Sequence, residues 1–153
     1  MYTATLFAHS WLRWLIILLG LFAVARAVAG RASGRPWLAS DASAGRFYTI
    51  ALDVQMLLGL LLYFVFSDLL TVARADMSRA MANPAIRFWL VEHVTGMLIA
   101  IALAHVGTVR IRKATDGTTR FTQAALFYGL SLIAVLLASP WPWLAHARPL
   151  FRF

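Results

Sequence analysis

Cysteine is absent from this chain, and only 13% of its 153 residues are charged. The first absence excludes disulfides, thiolate metal sites, iron–sulfur clusters and covalently attached c-type haem. The second argues against an ordinary soluble surface, since soluble domains carry about 25% charged residues. The short motifs of soluble enzymes are missing too: no GxSxG, no phosphate-binding loop, no dinucleotide fingerprint and no HExxH. The hydroxyls nearest a candidate base are Ser10, beside His9, and Thr95, two residues from His93. On a helix those spacings point each hydroxyl away from its histidine, so hydrolytic chemistry is not expected.

What is present is apolar residue, 61% of the chain. Runs of about 20 apolar residues identify membrane-spanning helices. Four are expected, at about 6–29, 47–67, 86–108 and 121–143, forming a single membrane domain over residues 1–153. The fold expected is an all-α integral membrane four-helix bundle in contact with the lipid bilayer. Between spans two and three, Leu69 to Met81 has Leu69, Val72, Ala73 and Met77 at helical spacing, which predicts a short amphipathic helix ended by Asn83-Pro84. The first apolar run lacks a basic leader and is long enough to span, so it reads as a helix rather than a signal peptide.

The net charge of +8 suggests a nucleic-acid partner until its placement is read. The basic residues cluster at the ends of apolar runs, the positive-inside pattern, and form no solvated basic face. No nucleic-acid partner is expected. Loop one is bracketed by Arg26, Arg31, Arg35 and Arg46, and loop three carries Arg110, Arg112, Lys113 and Arg120. Loop two balances Arg74, Arg79 and Arg87 with Asp68 and Asp76. This bias places loops one and three in the cytoplasm and both termini outside. Trp11, Trp14, Trp89, Trp141 and Trp143 then form an outer aromatic belt, with Trp37 at the inner side.

Two groups of polar residues stand out, because ionisable groups inside a span face a bundle interior or a cavity. On helix one, His9, Arg13, Ile16, Gly20, Ala23, Ala27 and Gly30 recur in steps of three and four. On helix three, His93, Gly96, Ala100, Ala104 and Gly107 do the same. Small residues on such faces let helices approach closely, or let a flat cofactor lie against them. The outer level gathers His9, Arg13, Glu92 and His93, with Tyr63 nearby and Arg13 the expected partner of Glu92. A second polar site, toward the cytoplasm, gathers Asp53, Gln55 and His105, with Asp53 and His105 a candidate carboxylate–imidazole pair.

Two imidazoles on different helices at one depth suit a b-type haem, with His9 and His93 as axial ligands to the iron. His146, past the end of span four, is a substitute for His9. Arg13 or Arg87 suits a haem propionate, and Arg13 with Glu92 is placed beside the cofactor. His93 and His105, 12 residues apart, differ by about 120° in direction and about 18 Å in height, so they cannot share one haem.

The stretches His9-Ser-Trp-Leu-Arg-Trp, Gln55-Met-Leu-Leu-Gly-Leu-Leu-Leu-Tyr-Phe and Arg87-Phe-Trp-Leu-Val-Glu-His93 resemble short bacterial four-span membrane proteins labelled cytochrome b-like. The resemblance implies a haem-bearing electron carrier. Relatives of that kind can carry histidine where this chain has Asp53, which implies that an inner haem ligand is missing here. A redox protein or membrane quinone is the partner expected of such a carrier. Two other readings stay open: a cofactor-free accessory subunit of a larger membrane complex, and a proton or ion pathway from His9, Glu92 and His93 to Asp53 and His105.

Overall fold

A computed structural model describes residues 1–144. It is all-helical, with no strand among the described residues, and four of its helices are long and apolar enough to cross a membrane. They are α1 (Tyr2–Ser33), α2 (Ala39–Phe66), α5 (Pro84–Lys113) and α6 (Gly117–Leu137). Between α2 and α5 lie two short helices, α3 (Asp68–Ala75) and α4 (Met77–Ala82). His146 falls outside the described residues.

Local chemistry explains where the helices begin and end. Gly34 closes α1 in the left-handed conformation, at φ 64°, which glycine adopts without strain. The Asn83 side chain accepts from the N–H groups of Ala85 and Ile86, and Pro84 follows at the first helical position, so α5 starts cleanly. At Asp116 the carboxylate accepts from Thr119 N–H at 2.8 Å and opens α6. That bond holds the Asp116 carboxyl below its ordinary range.

Three spans are longer than expected, because the polar and small residues that flank the apolar runs continue the helical turns. Span four is displaced instead: it ends at Leu137 rather than 143, since Pro140 and Pro142 cannot continue a helix. The expected single helix over 69–81 is two helices. Asp76 leaves helical geometry and caps α4 by accepting from Arg79 N–H. Leu70, Ala73 and Ala80 are the buried residues of this segment and pack with Leu90, whereas Leu69, Val72 and Met77 stay exposed.

In the bundle, α1 packs between α2 and α6, and α6 between α1 and α5, while α2 and α5 touch far less along the fourth side. At the end carrying loops one and three, the arginine end, glycines receive aromatic rings. A Cβ at Gly30 would lie 2.3 Å from Phe121, one at Gly45 2.5 Å from the Tyr128 hydroxyl, and one at Gly20 2.9 Å from Tyr48. The small-residue faces are therefore filled by neighbouring side chains here. Tyr48, fully buried, shares a 2.9 Å hydrogen bond with Ser131, whose hydroxyl donates to the Ala100 carbonyl. Trp37 packs on Phe121 with ring centres 4.9 Å apart, not only on an interface.

Loop one is fastened by Asp41. Its buried carboxylate accepts two bonds from Arg35, one from Arg26 and one from the Leu38 N–H. The first turn of α2 is thereby tied to the end of α1.

Candidate functional site

The opposite end of the bundle, the histidine end, is built differently. The stripe Tyr48, Leu52, Gln55, Gly59 on α2 recurs in steps of four, three and four, so it turns toward α1 as one face. Gln55 donates from Nε2 to the backbone carbonyl of His9 at 3.0 Å. Gly59 lies against the His9 ring: a Cβ there would sit 3.3 Å from its Cε1. Gln55 is thus part of the His9 site and not of the Asp53 site as expected. Residues two apart on a helix differ by about 200° in direction, so Asp53 and Gln55 cannot share a face.

His93 is fixed from another side. Its Nδ1 lies 2.8 Å from the carbonyl of Ala138, just past the last turn of α6. A carbonyl only accepts, so Nδ1 carries a proton. The final carbonyls of a helix have no partner within it, which makes Ala138 available. Gly96, one turn along α5, lets this contact form: a Cβ there would lie 2.5 Å from the Ala138 Cβ. Phe88 and Trp89 pack on the His93 ring, at 5.8 and 5.6 Å between ring centres.

His9 and His93 meet as the sequence suggests, with ring centres 6.3 Å apart and planes at 71°. With Arg13 and Gln55 they line a cavity of about 160 Å³, whose other walls include Met56, Leu60, Met97 and Leu98. Those four residues come from α2 and α5, so the cavity lies along the loosely packed fourth side of the bundle. Two buried polar atoms around it, His9 Nδ1 and Gln55 Oε1, have no hydrogen-bond partner among the described residues. Tyr63 lines the same cavity, but its hydroxyl donates to the Leu90 carbonyl, and the Arg74 guanidinium stacks on its ring.

Glu92 is not the partner of Arg13. It takes the Arg87 Nε at 2.7 Å, with the two side chains 47% and 40% exposed. A π-helical turn over Phe88–Glu92 accounts for the change. Its wider winding brings residues five apart onto one side and turns Glu92 away from the buried arginine. Arg13 remains buried, with its guanidinium 5.4 Å from the Trp14 ring.

Asp53 and His105 do form the expected pair, Oδ1 to Nε2 at 2.8 Å, but on the surface of the bundle, 42% and 52% exposed. Of the residues named for a proton pathway, Glu92, Asp53 and His105 lie at the surface of the bundle, while His9 and His93 face the cavity.

Fold and site together define a four-helix bundle of membrane-spanning type with two imidazoles facing one apolar cavity near one end. No known protein family, curated protein or solved structure matches the chain.

Proposed function

We propose that this chain is a small membrane haem protein that carries electrons, in which His9 and His93 would hold one b-type haem. The observation that carries the reading is the spacing of the two imidazoles, 6.3 Å between centres. Two imidazoles at that separation, on different helices and lining one cavity, could both reach a single metal centre placed between them. The His93 tautomer supports it as well, because metal-binding histidines typically donate their other N–H to a backbone carbonyl or carboxylate. When bound, haem supplies a one-electron ferric–ferrous couple.

The chain's own residues set the conditions for that chemistry. Ala138 and Gly96 hold His93 in one tautomer, and the Gln55 bond fixes the backbone from which His9 projects. Arg13, buried beside the cavity, suits a propionate carboxylate. Met56, Leu60, Met97 and Leu98 keep water out and favour an electron-accepting partner from the lipid phase, a quinone or a redox subunit. The arginine distribution supports loops one and three being cytoplasmic and the histidine end outside, and the resemblance to bacterial four-span proteins supports a bacterial inner membrane.

The test is a reduced-minus-oxidised visible spectrum of the full chain expressed with haem available. A b-type α-band is expected, lost in His93→Ala and kept in His105→Ala. A spectrum without that band in the wild-type chain rejects the reading. A cofactor-free subunit is the second reading, favoured by the exposed Asp53–His105 pair, and co-purification with larger membrane subunits in the absence of haem would support it.

A further inference from the structure

The pair of Asp53 and His105 bridges α2 and α5 on the same loosely packed side of the bundle as the two-histidine cavity, but nearer the arginine end. Asp53 is seven residues past Arg46, about 10 Å along the helix, and His105 is five residues before Arg110, about 7.5 Å. Both therefore lie within the apolar part of their helices. A carboxylate and an imidazole facing hydrocarbon at that depth are unfavourable, so such groups normally face protein or a water-filled cavity. Asp53 Oδ2 and His105 Nδ1 have no partner among the described residues. Each copy of the chain thus presents one open acceptor and one open nitrogen, side by side.

We infer that this face is the interface of a two-fold homodimer, in which Asp53 of each copy meets His105 of the other. Two-fold contact is self-complementary: residue i touches residue j and j touches i. A surface that offers a carboxylate oxygen beside an imidazolium N–H is matched by a second copy of itself, closing a ring of two carboxylates and two imidazoliums in which each imidazolium donates from both nitrogens. The flanking residues suit close approach. Leu98, Ala102, His105 and Val109 form one exposed stripe on α5, with the small Ala102 one turn from His105. Ile50, Asp53, Leu57 and Leu60 line the matching side of α2. The inference stands on this pair and does not depend on haem.

The test uses the full chain in native membranes, where the absence of cysteine removes any background. Ala102→Cys places a thiol on the stripe, and Ile133→Cys places one on the exposed face of α6. The two-fold sets the two copies of α5 diagonally, with axes about 13 Å apart, so with a bifunctional thiol reagent of that reach a cross-linked dimer of this chain is expected at position 102, with yield at least about tenfold above that at 133. Asp53→Leu with His105→Leu removes both polar groups together and should lose the cross-link while the thermal transition in detergent stays in place. Exchanging the pair, Asp53→His with His105→Asp, preserves self-complementarity and should keep it. Equal cross-linking at 102 and 133, a cross-link indifferent to the leucine pair, loss of the cross-link in the exchanged pair, or a 102 adduct only with another membrane protein would overturn the inference.

Discussion

The two ends of this bundle are built on opposite principles. At the arginine end, every glycine notch described above receives an aromatic ring, and the buried hydroxyls of Tyr48 and Ser131 are bonded. At the histidine end, an apolar cavity separates the helices, two polar atoms are buried without partners, and both π-helical turns, Leu62–Phe66 and Phe88–Glu92, occur. Dense packing and satisfied hydrogen bonds specify one arrangement of helices. Voids, orphan polar atoms and π-turns lower stability and are common where a protein binds something. The difference teaches that stability is concentrated in one half, so the other half can hold a site.

The largest test of that contrast is Gly30→Val, which drives a side chain into Phe121 at the arginine end. Overpacking of this kind typically costs about 1–3 kcal/mol. A clear fall in the thermal transition in detergent is expected, against a smaller one for Gly59→Ala, whose Cβ meets His9 at 3.3 Å. Next, Tyr48→Phe should cost about 1 kcal/mol by removing the bond to Ser131. Chemical denaturation measures it, and an unchanged midpoint would place the strength of the bundle elsewhere.

At the histidine end the sign should reverse. Gln55→Leu removes a carbonyl oxygen that is buried without a partner, together with one bond to the His9 backbone. The expected change in stability is near zero, within about 1 kcal/mol, because the orphaned oxygen offsets the lost bond. The α-band of the proposed haem protein should nonetheless weaken. A large loss of stability with an intact spectrum would contradict the division of labour.

The smallest effect concerns pH. Asp116 has its carboxyl lowered chiefly by the Thr119 N–H, so its contribution is present above the ordinary carboxylate range and is lost as pH falls through the lowered value. Asp116→Asn should flatten a slight loss of stability on acidification, visible as a difference between two melting curves. The group is exposed, and the shift should shrink in high salt.

The lesson about legibility lies in particular residues. The inward stripe of α1 from His9 through Arg13 to Gly30 could be read directly, because a helix repeats every 3.6 residues and apolar runs of this length have few other uses. The same periodicity brought His9 toward His93 and Asp53 toward His105. Glu92 escaped it, since a π-turn shifts the register and no spacing rule announces one. Gln55 was misplaced by its nearness to Asp53, although the Tyr48–Leu52–Gln55–Gly59 stripe carried its true direction. Asp41 and the Ala138 carbonyl found their roles only through contacts with distant segments.

The sequence alone determined that the chain is four apolar helices with ionisable groups inside them, because composition and periodicity are local properties. Tertiary structure decided which small-residue faces are filled by rings and which border a cavity, whether Arg13 or Arg87 serves Glu92, and that Asp53 and His105 face outward. Those outcomes depend on how helices rotate and pack against one another, a cooperative choice that no single segment encodes.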